Sequence, residues 1–293
     1  MRNRIMKFLK LFAALQILAG IGVSQAYTLP HHENYGVNFN KCFELLTPDV
    51  TGAKCDLNNQ KSACAEKIFS AVKKCGNSEL SRQKTRFEKN LKTAGKIMAD
   101  NAEAWSLLTN TVRQWNEFTA LVKPAFASVT SAERAEAESV LYELAAVIKM
   151  NTHLKYFISR ESDNAVEGYE DTRNVRYTYD ERNAYPGMEK CISRAVSMTD
   201  MYDCQSKGFS VQDQKLNKTY KKIMSGLKNN ANAKDAVRAM ERKWVVYKEH
   251  ASDYMPAYTG QGSAVLADQR SFSLEELMLQ NILLERIEEA ARR

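Results

Sequence analysis

From Phe87 the apolar positions run Phe87, Leu91, Ala94 and Met98, in steps of 4, 3 and 4, and the chain repeats that stride at Leu216, Tyr220, Ile223 and Leu227. Steps of three and four keep side chains on one helix face, so each set predicts an amphipathic helix with a buried stripe. A further stripe, Ala236, Met240, Trp244 and Tyr247, steps by 4, 4 and 3. It predicts Trp244 and Tyr247 packed together in a core, with Arg242 pointing elsewhere. Helix starts are signalled by Thr130-Ser-Ala-Glu133, by Ser197-Met-Thr-Asp200 ahead of a helix carrying Cys204, and by Ser273-Leu-Glu-Glu276, which is expected to open the last helix. Breaks such as "SGLKNNANAK" and "YMPAYTGQGS" separate them. No segment alternates with the period of a strand, so the expected class is all-α.

Sliding the chain against itself by 129 residues brings Cys75 onto Cys204, Gln83 onto Gln212, Asn101 onto Asn230, Arg113 onto Arg242 and Trp115 onto Trp244 without a gap, with Phe118 meeting Tyr247. The apolar stripes superpose under the same shift. This is a duplicated unit, and it predicts two tandem helical bundles of about four helices each, residues 27–160 and 188–293. Between them, in residues 161–187, helical periodicity vanishes. Residues 161–184 hold 3 basic and 7 acidic side chains, so this Tyr-bearing linker is the acidic stretch of a basic chain whose formal charge is +7.

The first 26 residues read as a secretory signal peptide: four basic residues, a largely apolar run from Leu11 to Val23, and the small-x-small site Ser24-Gln25-Ala26. The run is too short to span a bilayer, and no later run is long enough, so the expected mature protein is soluble and exported, periplasmic or secreted. Six Cys remain after that cut, Cys42, Cys55, Cys64, Cys75, Cys191 and Cys204, none in a CxxC pair. An even number in an oxidising compartment predicts structural disulfides. Loss of the leader's cations leaves about +3, too little to argue for nucleic acid.

The second unit has a recognisable order of features. Cys191 and Cys204 are followed by Asp213, Leu216, Asn217 and Tyr220, then by Trp244 and Tyr247, Gly262 and a final helix. Over about residues 188 to 290 this resembles the lysozyme inhibitor LprI-type domain, whose pattern is a Cys pair, Asp-x-x-Leu-Asn-x-x-Tyr, Gln-x-x-Trp-x-x-Tyr-Arg-Asp, a Gly-rich loop and a last helix. Glu241 stands for the family's Gln, and Lys248-Glu249 for its Arg-Asp. The family's second Cys pair is missing, with Ser252 at the first position and only Ser or Phe near 271–273. Joint loss implies that those two bond each other, and hence that Cys191 bonds Cys204. On one unbroken helix that pair would lie about 20 Å apart, so the cap at Ser197 must supply a break. A bridge closing so short a loop contributes about 2 to 3 kcal/mol. The first unit resembles the family only through the duplication, since Lys123 replaces a family Cys and the Leu-Asn-x-x-Tyr phrase is absent. Cys64 and Cys75 fall at opposite ends of one predicted helix, which disfavours a bond between them; the pairing of Cys42, Cys55, Cys64 and Cys75 is otherwise open.

Catalytic material is thin. His31 and His32 form a pair near the mature start that nothing completes into a metal site; His153 is expected on a helix, and His250 follows the Tyr247 turn. "GQGSAV" at 260–265 follows no strand and lacks a third Gly, so it reads as a loop, not a dinucleotide fingerprint. Acidic residues on the helices read as solvated surface. Asn217 is expected to bond the backbone of a neighbouring helix. No cofactor, metal or catalytic residue is expected. The motif core comprises Leu216, Asn217, Tyr220, Trp244, Tyr247, Trp115 and Phe118. The resemblance implies an exported, non-catalytic binding protein that inhibits lysozyme or a related cell-wall hydrolase; the alternative is an envelope adaptor holding another periplasmic or secreted component. Such hydrolases are typically cationic, as are both units here. The linker, with Tyr169, Tyr177, Tyr179, Asp180, Glu181 and Tyr185, is the expected partner-binding surface.

Overall fold

Asn101 and Asn230, equivalent under the repeat, each cap a helix in the same way, the side-chain oxygen accepting from Ala104 N–H and Ala233 N–H at 3.0 Å. The same sequence signal thus starts the same element twice. The structure, a computed structural model, describes residues 63–161, 184–251, 253, 257 and 263–292. The signal sequence, His31, His32, Cys42, Cys55, Tyr169, Tyr177, Tyr179, Asp180 and Glu181 lie outside these residues.

Among the described residues the chain is helical and contains no strand, so the all-α class holds. The first copy comprises α1 (Ala63–Ile97), α2 (Ala102–Thr119), the short α3 (Val122–Ala127) and α4 (Ala132–Glu161). The second comprises α5 (Met188–Arg194), α6 (Met198–Gly226), α7 (Ala231–His250) and α8 (Ser263–Ala291). Two predicted starts move. The first hydroxyl to meet α4 is that of Ser131, accepting from Arg134 N–H at 3.4 Å, one residue past Thr130. Ser273 does not open the last helix: α8 begins at Ser263, and the Ser273 hydroxyl bonds back to the Gln269 carbonyl at 2.9 Å. A Ser inside a helix can satisfy its hydroxyl that way, so the cap pattern alone misleads.

Within each copy one long pair packs side by side, α1 on α4 and α6 on α8. The same polar clamp recurs in both. Asn151 donates to the Gln83 carbonyl at 2.9 Å, and Asn281 donates to the Gln212 carbonyl at 2.9 Å. These amides satisfy buried polar groups and fix the register of each pair.

The copies then meet. α2 packs against α7, and Phe118 stacks on its own equivalent, Tyr247, with centroids 6.0 Å apart and planes 9° from parallel. Contact between equivalent positions is the mark of an isologous interface, here within one chain. Phe87, Trp115, Phe118, Tyr142 and Leu154 join Leu216, Trp244, Tyr247, Leu283 and Ile287 in one core. The expected tandem arrangement of two bundles is therefore not confirmed by the packing, since the core runs through both copies. Polar ties cross the same seam: Thr111 donates to the His250 carbonyl at 2.7 Å, Asn101 to the Ala257 carbonyl at 3.0 Å, and Lys243 to Glu117 at 2.6 Å.

Candidate functional site

The motif residues divide between interior and surface. Trp115 and Trp244 are both 3% exposed, and neither indole N–H has a hydrogen-bond partner. Tyr247, Phe118 and Leu216 are buried with them, and Tyr220 packs on the core's edge. These side chains build the seam and reach no solvent-facing ligand. Arg242 points outward as expected. Asn217 is exposed and donates to Asp213 of its own helix, to the carbonyl at 2.9 Å and the carboxylate at 3.0 Å. The expected bond to a neighbouring helix is not formed, because one turn back a better acceptor stands on the same face.

Several charged residues that read as surface are interior. Lys149 of α4 is fully buried and pairs with Glu276 of α8 at 2.5 Å; Tyr247 donates to the same carboxylate at 2.6 Å. Burial pulls the Lys149 ammonium below its usual range, opposed by Glu276 and Glu275. His153 meets Glu275 at 2.9 Å, and Lys149 lies 4.1 Å above the Phe272 ring. Nearer the other end of α4, Glu138 binds Arg286 of α8 and lies 3.5 Å from Arg134. Buried between α4 and α8, these struts hold the two copies together. Removing one partner of such a pair costs about 3 to 5 kcal/mol. The one signal for them was a Lys or Glu interrupting an apolar run, as in "AAVIKMN" and "SLEELML".

The surface feature with a built geometry is the stapled corner between α5 and α6. Ala195 adopts an extended backbone (φ −63°, ψ 120°) and ends α5. Ser197 then opens α6 with a complete capping box, accepting from Asp200 N–H at 3.2 Å while the Asp200 carboxylate accepts from Ser197 N–H at 2.9 Å and Val196 N–H at 3.1 Å. The Ser197 hydroxyl and these two amides hold the Asp200 carboxyl below its usual range. The break brings Cys191 within 5.8 Å (Cα to Cα) of Cys204, and the expected disulfide is formed. Cys64 and Cys75 are also disulfide-bonded. Eleven residues apart on α1, they lie about 16 Å from each other at ~1.5 Å per residue and are not each other's partner.

The corner is seated on the frame by Ala184, Tyr185, Met188, Cys204 and Leu274, a small separate core. At Gly208 a Cβ would come 3.0 Å from Leu274 and 3.2 Å from Ala184, so a larger residue would press those side chains back by a few tenths of an ångström. Tyr185, expected on the open linker, is instead 6% exposed within this cluster. Beside the disulfide lies a concavity of about 500 Å³ lined by Tyr185, Lys190, Arg194, Asp203 and Lys207. Among the described residues no group of three or more His, Cys, Asp or Glu could hold a metal. No described helix is long and apolar enough to cross a membrane.

No curated protein and no solved structure matches the chain. Residues 191–293, the part that carries the staple, α6, α7 and α8, match the family model of the lysozyme inhibitor LprI.

Proposed function

We propose that the mature protein is an exported, non-catalytic inhibitor of lysozyme or a related cell-wall hydrolase, acting by surface complementarity that occludes the enzyme's cleft. The observation that carries this reading is the family match over residues 191–293. The rest agrees in kind. A formed disulfide suits an oxidising compartment. The conspicuous charge clusters serve cohesion, and inhibition needs only a rigid, complementary surface. Purified mature protein titrated into a lysozyme turnover assay on peptidoglycan should lower turnover progressively, and incubation with peptidoglycan alone should release nothing. Turnover unchanged at large molar excess would overturn the reading and favour the envelope-adaptor alternative.

The acidic linker is proposed to steer such a cationic partner, since opposite charge accelerates encounter at low salt. Reversing Asp180 and Glu181 to Lys should slow association at low ionic strength; an unchanged on-rate removes this part of the proposal alone.

A further inference from the structure

Val196 is 96% exposed, while the other large apolar side chains on the described surface, Val211, Val245 and Val246, reach only 36 to 42%. It stands between Ala195 and Ser197 in the break between α5 and α6, within the loop that the disulfide closes. Its own N–H is held by Asp200 at 3.1 Å. A fully exposed apolar side chain on a backbone ordered in advance has the form of a binding anchor, because little freedom remains to be lost on contact.

Beyond the Asp200 carboxylate that holds its N–H, the charged lining of the adjoining concavity is mainly cationic. Lys190, Arg194 and Lys207 converge on the adjoining concavity with Asp203 as its sole carboxylate. None of the three cations makes an ion pair among the described residues; Lys207 instead lies 4.6 Å above the Tyr185 ring. Tyr185 itself, nine-tenths buried and lining the concavity, uses its hydroxyl in no hydrogen bond among the described residues. The corner thus offers three cations and an O–H donor to an incoming carboxylate. In the first copy the positions equivalent to Ala195, Val196 and Ser197 are Glu66, Lys67 and Ile68, all inside the helix α1.

Resting on the inhibitor reading, we infer that this corner is the part of the protein that enters the hydrolase cleft, Val196 as the apolar anchor and Arg194, Lys190 and Lys207 facing the cleft's carboxylates. Glycoside hydrolases flank the scissile bond with a pair of Asp or Glu side chains. A hydrolase that is cationic overall therefore still presents negative charge where Lys190, Arg194 and Lys207 would dock. This removes the charge objection to two basic surfaces meeting, without asking anything of the rest of the protein.

The test uses the full mature chain. V196D and R194E should each raise the half-inhibitory concentration by about tenfold or more, as loss of a central anchor does. Both side chains are exposed, so far-UV circular dichroism and the disulfide should be unchanged. K228E, at an exposed cation in the turn just past the end of α6, should inhibit like the parent. A soluble N-acetylglucosamine oligomer that fills the cleft should compete with the parent protein. The inference is overturned if the parent inhibits but V196D and R194E inhibit equally well, or if the oligomer fails to compete. A parent that inhibits no hydrolase is the distinct failure of the inhibitor reading, and the inference falls with it.

Discussion

Glu241 shows how one buried atom sets a pH dependence. It stands where the LprI-type pattern has Gln, and it accepts from the Gln280 side chain of α8 at 2.6 Å. Burial raises its pKa to about 7 from 4.5, against the Gln280 hydrogen bond and Lys248, which lower it. A folded pKa above the unfolded one means the folded protein holds this proton more tightly. That contribution to stability is complete below pH 4.5 and is lost as pH rises through about 7. At ~1.4 kcal/mol per unit the loss is on the order of 3 kcal/mol. E241Q keeps the shape and cannot ionise, so urea unfolding followed from pH 5 to 8 should show a shallower decline than the parent's. An equal slope would place the titration elsewhere. At this scale the buried aromatics were legible, since Trp115, Phe118, Trp244 and Tyr247 lie on regular stripes. Lys149, Glu276 and Glu138 were not, because periodicity marks a charged residue as outward and only the partner helix, far along the chain, shows otherwise.

Among the elements, the corner is where sequence and structure agree most closely. The Ser197 capping box, the break it forces and the Cys191–Cys204 bond were all expected, the last through resemblance. Local chemistry is enough there: a cap is written in four consecutive residues. The start of α8 was misread for the complementary reason, since Ser273 has the composition of a cap but its backbone is already committed to a helix. Removing the staple should weaken the protein and its binding together. C191S/C204S is expected to lose about 2 to 3 kcal/mol of stability, the value of closing a loop of this size. Its inhibition should weaken as well, because Val196 would then have to be ordered on contact. Calorimetric melting beside an inhibition titration checks both, and a variant that melts lower yet inhibits normally would separate the staple from the binding surface.

For the whole molecule, the repeated apolar pattern was readable and its packing was not. A repeat predicts two similar units but does not say whether their stripes close inward or on each other. Here Phe118 meets Tyr247 across the seam, and α4 and α8 exchange ion pairs through Lys149–Glu276 and Glu138–Arg286. Among the described residues the two copies differ around Val196, where the second turns a corner and the first continues as α1. On the proposed inhibitor function, with the corner around Val196 as the binding element, one such corner implies one hydrolase molecule per chain. Isothermal titration of the mature protein with a lysozyme that it inhibits, carried to saturation, is predicted to end at one enzyme per chain; a ratio of two, or no binding by the folded protein, would contradict the account.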